Sequence, residues 1–431
     1  MTGIRARHTA HHSTPVDVDC INAIPSQLRT TARDALIIDR AEGVHVFDHT
    51  GKGYYDAMAG YWLACLGYGD AELIDVMTQA ATRLSFWHQF DTSHTAGIEY
   101  VRELFTHLPR SLRGKVLFAN TGSGAIENAL RAACARVALD KRPAIIAHLD
   151  RSYHGSTFLA QQLSPFNDWP DSLRLAPWQL MKLGSPSSVD AADQTLAGFE
   201  ACLRGPKPPT ILITEPVQGV GGMIVPPSGF FEEIARLCRK HEVVWISDEI
   251  STGFGSTGKL FAFELDGALP DILVIGKKMA AGYFPMSAAI VSAELSEQTV
   301  SGREFHYGYS TSGHPVGCAV ATTVLQRIAA PEMLAHVSTL GEQLRNGLER
   351  IALDHRLGPV SGVGLMLTLD VRRSRTAAAV ARKLRDLGVY ELPEGRYLTF
   401  CPPFISSEAH IQHLLTALAD AVASCVELRH E

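Results

Sequence analysis

The chain has 431 residues, of which 46% are hydrophobic and 19% charged, a composition typical of a compact protein with a large core. Its formal net charge of −6 gives no reason to expect nucleic acid as a partner. Eight scattered cysteines without a CxxC pair favour a reduced, cytoplasmic protein over a disulfide framework, and we expect no metal site. We expect no membrane partner, because no apolar run approaches the roughly 18 residues of a membrane span, and no secretory signal, because the first residues lack an apolar h-region.

The first part of the chain predicts a small sheet followed by helices. Alternation in Ile37–Asp48, a turn at His49–Gly53 and the extended Tyr54–Met58 are typical of antiparallel strands. Glu72–Leu84 and Thr95–Leu108 have helical apolar spacing. We expect three units: residues 1–60 contribute to a small domain, residues 61–329 form a large cofactor-binding domain, and residues 330–431 form the C-terminal small domain.

A strand, a glycine-rich turn and a helix follow one another in the next segment. Val116–Asn120 is an apolar strand, and Gly122 and Ser123 stand in the turn before the helical stretch Ala125–Ala138. Backbone amides at a helix N-terminus point outward, and the helix dipole favours an anion there. The segment therefore predicts a phosphate-binding turn at Gly122 and Ser123.

Two further strands lead to polar residues that are candidates for the same site. Ala144–Leu149 is followed by Tyr153 and His154, and Thr210–Thr214 runs directly into Glu215. Alternating strands and helices predict a parallel sheet. The intervening residues 161–205 predict a long irregular loop, because prolines interrupt them repeatedly.

Two more strands deliver an acid and a lysine. The run Val243–Ser247 ends at Asp248, and the run Ile272–Ile275 is followed by Lys277. Pyridoxal 5'-phosphate (PLP) requires such a pair, an acid for its pyridinium nitrogen and a lysine for a Schiff base (aldimine). Lys278 competes with Lys277, but neighbours in an extended segment face opposite sides, so only one reaches the ring. We expect it to be Lys277, which directly follows the strand.

The segment Trp245–Tyr283 resembles the corresponding segment of class III aminotransferases, which are fold-type I PLP enzymes. The shared pattern includes the adjacent acids Asp248 and Glu249, a glycine-rich turn and Lys277. The Gly-Tyr-Phe-Pro sequence after the lysines is most similar to ω-amino acid and amine transaminases, with adenosylmethionine–8-amino-7-oxononanoate aminotransferase a near relative. The resemblance runs from about Gly51 to Ile405. It implies an α/β fold with a mostly parallel seven-stranded sheet between helices, plus a smaller α+β domain.

The resemblance also implies residue roles around the cofactor. In the family an aromatic side chain stacks on the ring, a glutamate lies near its phenolic oxygen, and a branched side chain packs beneath it. A hydroxyl side chain crosses the subunit interface to the partner's phosphate, which implies a homodimer with shared active sites. His154, next to the stacking position, is either an acid–base residue or purely structural. The implied cofactor-binding residues are Gly122, Ser123, Tyr153, His154, Glu215, Asp248, Ile250, Lys277, and Ser310 or Thr311.

The substrate pocket departs from the family pattern. Trp62 matches a pocket tryptophan, and Trp87 is a second candidate; the alternative for both is an ordinary packing role. The arginine that binds the substrate α-carboxylate in a fork geometry is replaced by Leu392. Arg396 is the neighbouring candidate for that role. Without such an arginine, a generic α-amino acid and α-keto acid cycle is disfavoured.

Two functions remain from the sequence. The first is a PLP-dependent aminotransferase, in which Lys277 is the general base and Asp248 supports the carbanion, with an amine or amino acid donor and a carbonyl acceptor. The second keeps the same residues without amino transfer: racemisation, or β- or γ-elimination or replacement with carbon–carbon bond formation, for example on S-adenosylmethionine. Leu392 suggests this alternative, and the fold does not decide between the two.

Overall fold

The computed structural model describes residues 36–164, 179–300, 305 and 308–425. Its first element is a small sheet in which three strands run antiparallel. A short strand from the C-terminal part of the chain joins its edge in parallel. The strands are β1 (Ile38–Glu42), β2 (His45–Asp48) and β3 (Gly53–Asp56), with the late strand described below.

The central sheet has seven strands in the order β4-β10-β9-β8-β7-β5-β6. Only β10 runs antiparallel to its neighbours, so the sheet is mostly parallel, as predicted. Five of its strands are buried along their whole length, because helices cover both faces. The strands are β4 (Lys115–Ala119), β5 (Ile145–Leu149), β6 (Gln179–Leu183), β7 (Ile211–Thr214), β8 (Val244–Asp248), β9 (Ile272–Ile275) and β10 (Ser287–Val291).

Side-chain alternation along the strands divides the core between the two faces. Ile211 and Ile213 pack with Ala129 on one face, whereas Leu212 packs with Phe199 and Phe230 on the other. The helices of this part of the chain are α1 (Ala71–Arg83), α2 (Thr95–Thr106), α3 (Gly122–Leu139), α4 (Phe158–Gln162), α5 (Val189–Leu203), α6 (Phe230–His241) and α7 (Pro315–Ile328). No helix in the described ranges is long and apolar enough to cross a membrane.

The C-terminal part forms a smaller α+β unit around a three-stranded antiparallel sheet. Its extra strand β13 (Val389–Tyr390) pairs in parallel with β3, and Tyr55 N donates to Gly388 O at 2.8 Å. The described part of the N-terminal segment therefore shares a sheet with the C-terminal unit. The other elements are β11 (Val360–Val363), β12 (Met366–Asp370), β14 (Tyr397–Phe400), α8 (Pro331–Asp354), α9 (Ser374–Asp386) and α10 (Glu408–Ser424).

The prediction of an irregular loop over residues 161–205 was wrong in its second half. Strand β6 pairs in parallel with β5 along its length, and α5 begins at a cap in which Ser188 Oγ accepts from Ala191 N at 3.2 Å. Polar and apolar residues do not alternate cleanly in the sequence Gln-Leu-Met-Lys-Leu of β6, so the sequence pattern does not predict this strand. The first proline-rich stretch, residues 165–178, lies outside the described residues.

Candidate active site

The candidate residues gather at one edge of the central sheet. Asp248 ends β8, Lys277 follows β9, and Gly122 begins α3 just after β4. Strands β4, β8 and β9 run in the same direction, so their carboxyl ends meet at one edge, where open α/β sheets bind ligands. Residues far apart in sequence are therefore brought to one site by topology.

Asp248 is held by a buried hydrogen-bond network. Its side chain is only 4% exposed, and its Oδ2 accepts from His154 Nδ1 at 2.8 Å, while Oδ1 accepts from Ile250 N at 3.1 Å. The imidazole of His154 is fully buried, and its Nε2 has no hydrogen-bond partner within the described residues. His154 thus orients the carboxylate of Asp248, a contact that the sequence did not identify.

Lys277 lies between Ser251 and Trp62. Its Nζ donates to Ser251 Oγ at 2.7 Å and lies 4.4 Å from the centroid of the Trp62 ring. Its backbone φ is +45°, a left-handed conformation that is uncommon outside glycine and clusters at functional sites. Burial and the nearby charge of Lys278 lower the pKa of Lys277 to about 8, against the opposing effect of Asp248, Glu215 and Glu394.

Lys278 turns away from Lys277. Its side chain is buried, and its Nζ donates to the backbone oxygen of Ser251 at 2.6 Å, whereas Lys277 binds the hydroxyl of the same serine. Burial lowers the pKa of Lys278. The two lysines occupy different surroundings, but the premise of the sequence argument was wrong, because Lys277 and Lys278 begin a 3₁₀ helix (Lys277–Ala280) and not an extended segment. Lys277 is the one of the two whose Nζ lies against the ring of Trp62.

We expect the rate at which cofactor-free enzyme captures PLP to rise with pH and to level off above about pH 8. Only a neutral amine attacks the aldehyde, and the pKa of Lys277 is lowered from its ordinary 10.5 to about 8. The neutral fraction therefore grows as the pH rises through about 8. Cofactor absorbance followed from about pH 6 to pH 10 gives the profile. Lys278→Met should move the inflection upward; an inflection near that of an ordinary lysine in the unsubstituted enzyme would contradict the assignment.

The turn before α3 has the form of an anion cup. Thr121 caps the helix by accepting from Gly124 N at 3.0 Å, and Ser123 Oγ accepts from Ser156 N at 3.0 Å. A Cβ placed on Gly122 would lie 2.9 Å from Ile250 Cδ1, so the turn packs directly on that side chain. The helix N-terminus offers the amides and dipole that a phosphate requires.

Gly155 allows the neighbouring loop to close against this cup. Its φ is +128°, and a Cβ there would lie 2.4 Å from Ser123 Oγ. We expect Gly155→Ala to lower the free energy of unfolding by about 1–3 kcal/mol, because of strain and the clash. Gly198→Ala is the matched control: nothing lies within 4 Å of its Cβ position in α5, so we expect a gain of about 0.5–1 kcal/mol. Denaturant unfolding measures both; equal effects would contradict the prediction.

Glu215 lies beneath the loop that carries Tyr153. Its Oε1 accepts from Tyr153 N at 2.9 Å, and its Oε2 accepts from Gly219 N at 3.2 Å. Burial raises the pKa of Glu215 to about 7, with Asp248 adding to the rise and His154 opposing it. Tyr153 is partly exposed, so its ring is free to cover a ligand at the sheet edge.

Trp62 forms the apolar wall of the site. Its ring is buried, its Nε1 has no hydrogen-bond partner in the described part of the chain, and a Cβ on Gly219 would touch it at 2.9 Å. Leu392, at the family's arginine position, packs against the apolar cluster to which Trp62 belongs. The other members of this apolar cluster are Met58, Met223, Met366, Cys401 and Val220.

Four other candidates make no hydrogen bond with Lys277 or Asp248 in the described part of the chain. Trp87 is 44% exposed and donates from Nε1 to Thr92 Oγ1 at 2.8 Å. Arg396 forms an ion pair with Asp370 at 3.0 Å and is half-exposed, so its charge is already matched. The remaining two, Ser310 and Thr311, are exposed, and Thr311 contacts Asn120 through two hydrogen bonds of 3.2 Å.

The residues gathered at this sheet edge offer a chemical partner for each of three functional groups of PLP. The amides of the Gly122–Ser123 turn suit a phosphate, the amine of Lys277 suits an aldehyde, and the buried carboxylate of Asp248 suits a pyridinium nitrogen. Three functional groups of the cofactor thus meet three complementary groups at one sheet edge. Fold and donor set together define a fold-type I PLP-dependent transferase.

The chain belongs to the class-III aminotransferase family, whose model matches residues 29–422. It is 29% identical to a probable gamma-aminobutyrate transaminase 2, mitochondrial, of Oryza sativa subsp. indica, over 92% of this chain and 86% of that protein. The omega transaminase of Pseudomonas jessenii in complex with PMP is 29% identical and has a TM-score of 0.88, covering 96% and 99% of the two chains. An (S)-enantioselective omega transaminase from Thermomicrobium roseum is 28% identical with a TM-score of 0.87, covering 95% and 98%.

These comparisons confirm the predicted family, fold, cofactor and reaction class. The protein is a PLP-dependent aminotransferase. The relatives named above are transaminases, and the hypothesis of elimination, replacement or racemisation finds no support among them.

Proposed function

We propose that this aminotransferase takes its amino group from an amine rather than from an α-amino acid, and passes it to a carbonyl acceptor. The observation that carries this proposal is Leu392, which packs against the apolar cluster that contains Trp62, at the position where a carboxylate-binding arginine is expected. Arg396 offers no replacement, because Asp370 already neutralises it. The similarity to omega transaminases, among them variants engineered for asymmetric synthesis of enantiopure bulky amines, supports the same donor class.

In this proposal Lys277 and Asp248 carry the chemistry. PLP, when bound, supplies an electron sink for the charge that develops at the donor carbon. The Nζ of Lys277 would take the proton from that carbon and later deliver a proton in the opposite direction, and its lowered pKa suits both roles near neutral pH. The carboxylate of Asp248, oriented by its 2.8 Å contact with His154 Nδ1, would face the pyridinium nitrogen and hold the proton there.

The other residues bind and orient the cofactor. Gly122 and Ser123 would hold its phosphate through the amides of α3, and Tyr153 would stack on one face of its ring. Ile250 would support the opposite face; its side chain lies between the turn at Gly122 and the strand end at Gly276, within contact distance of the Cβ positions of both. Glu215 would accept or share a proton near the phenolic oxygen, consistent with its pKa of about 7.

A donor half-reaction tests the proposal. Purified enzyme with PLP is mixed with single amines or single α-amino acids, without acceptor, and the cofactor and products are identified by mass. We expect stoichiometric pyridoxamine phosphate and an aldehyde or ketone from amines, at higher kcat/KM than from α-amino acids of matched size. Conversion of α-amino acids alone would overturn the proposal. Leu392→Arg is the matched variant. It should raise kcat/KM for donors that bear a carboxylate, because the guanidinium restores a fork-shaped partner for that group.

We further propose that two copies of the chain form a dimer with shared active sites. An aromatic surface lies beside the turn at Thr311: Gly308 packs on Phe90, and the ring of Phe86 lies 5.8 Å from that of His314. Exposed aromatic side chains in such number mark a protein contact surface. Its exposed members are Phe86, Trp87, Phe90 and Tyr309.

Mixed dimers test whether Ser310 and Thr311 serve the partner's site. One subunit carries Lys277→Ala, and the other carries Ser310→Ala with Thr311→Ala; each variant alone should have low activity. If the hydroxyls act across the interface, both defects fall in one site of the mixed dimer and the other site is intact, so activity returns. If they act within their own chain, mixing restores nothing and the shared-site proposal is wrong. Sedimentation of each preparation establishes the dimer itself.

The state of the cysteine side chains is informative about the cellular compartment in which the protein works. Cys65, Cys134, Cys202, Cys238, Cys318 and Cys401 are free thiols, and four of them are deeply buried. Burial raises the pKa of Cys65 and Cys318 to about 12, so these thiols resist ionisation and oxidation. This supports the predicted cytoplasmic location, although the similar rice protein is described as mitochondrial. Fractionation of the producing cells tests it.

A further inference from the structure

An acid and two aromatic rings form a group beside Lys277 that the chemistry described above does not use. The hydroxyl of Tyr61 donates to Glu394 Oε1 at 2.5 Å, and the Tyr61 ring stacks on Trp62 with centroids 5.4 Å apart and planes within 5°. The same Trp62 ring lies 4.4 Å from Lys277 Nζ. A carboxylate is thus connected to the reacting lysine by two stacked rings.

Backbone hydrogen bonds fix the positions of both parts of this group, the Tyr61–Trp62 ring pair and Glu394. Tyr61 and Trp62 have φ values of +65° and +74°, conformations that cost of order 1–3 kcal/mol each and persist only when their surroundings enforce them. Asp56 enforces them, because its carboxylate accepts from Met58 N at 2.9 Å and from Gly60 N at 2.7 Å. In the other part, the main chains of Glu394 and Tyr397 bond to each other in both directions.

Glu394 has the charge of Lys277 nearby, but it makes no ion pair with it within the described residues. It forms no ion pair with an arginine, lysine or histidine there, and its side chain bonds only to the neutral hydroxyl of Tyr61. Burial raises its pKa, whereas Tyr61 and the charge of Lys277 lower it. The neighbouring Glu391 is different: it is buried, accepts from Thr399 N at 2.8 Å and serves the structure of β14.

We propose that Glu394 and Tyr61 bind a second cationic group on the substrate, so that the preferred donors are diamines or other amines with a distal ammonium group. This rests on the amine-donor function proposed above and narrows it. The carboxylate supplies the countercharge, and the faces of Tyr61 and Trp62 attract a cation through their ring quadrupoles. Where relatives place an arginine for a substrate carboxylate, this chain places Leu392 and an acid two positions later.

A matched pair of donors tests the proposal. Cadaverine and n-hexylamine have the same length, and a methyl group in the second replaces the distal ammonium group of the first. In single-turnover reactions of the enzyme with bound PLP, we expect cadaverine to be favoured at least about tenfold, chiefly through its dissociation constant rather than the limiting rate.

Three variants assign the preference to its residues. Glu394→Gln keeps the shape and removes the charge, so the two donors should become nearly equal. Tyr61→Phe should reduce the preference less, because the carboxylate remains. Glu232→Gln makes the same chemical change at an exposed position of α6 and should leave the preference intact. A preference that survives in Glu394→Gln, or its absence in the unsubstituted enzyme, overturns the proposal.

Failure of the amine-donor function gives a different result. In that case neither amine converts the cofactor, while α-amino acids do. The dissociation constants of cadaverine and n-hexylamine, measured by calorimetry on the same enzyme, then test the cation site independently of turnover. Tighter binding of cadaverine that is lost in Glu394→Gln supports the cation site, and equal binding rejects it.

Discussion

Replacing Lys277 by alanine will abolish repeated turnover, with a loss in kcat/KM of about 10²–10⁴-fold or more. The variant loses the amine that attaches the cofactor and carries the proton, while Asp248 and the turn at Gly122 remain. Steady-state amino transfer measures the loss. Borohydride reduction of the unsubstituted enzyme with PLP, followed by peptide mass analysis, should place the cofactor on Lys277.

Lys278→Met is the matched variant for this prediction. Lys278 is buried and donates to the backbone oxygen of Ser251, so its loss should affect stability and the pKa of Lys277 but leave attachment in place. A cofactor found on Lys278, or attachment lost in Lys278→Met but not in Lys277→Ala, would reverse the assignment of the two lysines.

Asp248→Asn should lower kcat/KM by about 10²–10³-fold. The amide cannot hold a pyridinium proton by charge, so the cofactor becomes a poorer electron sink even when it is bound. The expected signature is a large fall in the rate of proton removal from the donor, measured in single-turnover reactions with deuterated amine, with PLP still attached to Lys277.

Glu249→Gln provides the control for the loss of a neighbouring buried acid. Its carboxylate accepts from Ala262 N at 2.5 Å and Phe263 N at 2.8 Å, and burial raises its pKa to about 8. We expect a stability loss of about 1–3 kcal/mol from the weakened pair of hydrogen bonds, with the half-reaction rate little changed. Equal losses of activity in the two variants would mean that Asp248 has no special role.

The site could be predicted from the sequence where chemistry follows directly after a strand. Asp248, Lys277 and Glu215 each stand at the end of an apolar run, and the carboxyl ends of parallel strands share an edge. Strand β6 was missed because its residues do not alternate. The fold could therefore be predicted only from the strands and helices whose hydrophobic residues recur with a clear period.

Contacts between distant loops could not be predicted in this way. The pairing of His154 with Asp248 depends on how the loop after β5 folds back onto β8, and no local pattern encodes it. Tyr61 and Glu394 are 333 positions apart. Their meeting depends on the parallel pairing of β13 with β3, which involves only two pairs of residues and leaves almost no signal in sequence.

In the proposed donor site, that short pairing separates donor recognition from catalysis. Tyr61 follows β3 and Glu394 follows β13, so both reach the site from adjacent strands of the small sheet, whereas Asp248 and Lys277 end strands of the large one. Substitutions in the two loops of the small sheet can therefore alter the donor range while the reacting groups keep their geometry. Such a division gives the protein a route to new substrates by small evolutionary steps, and gives an engineer two loops to vary first.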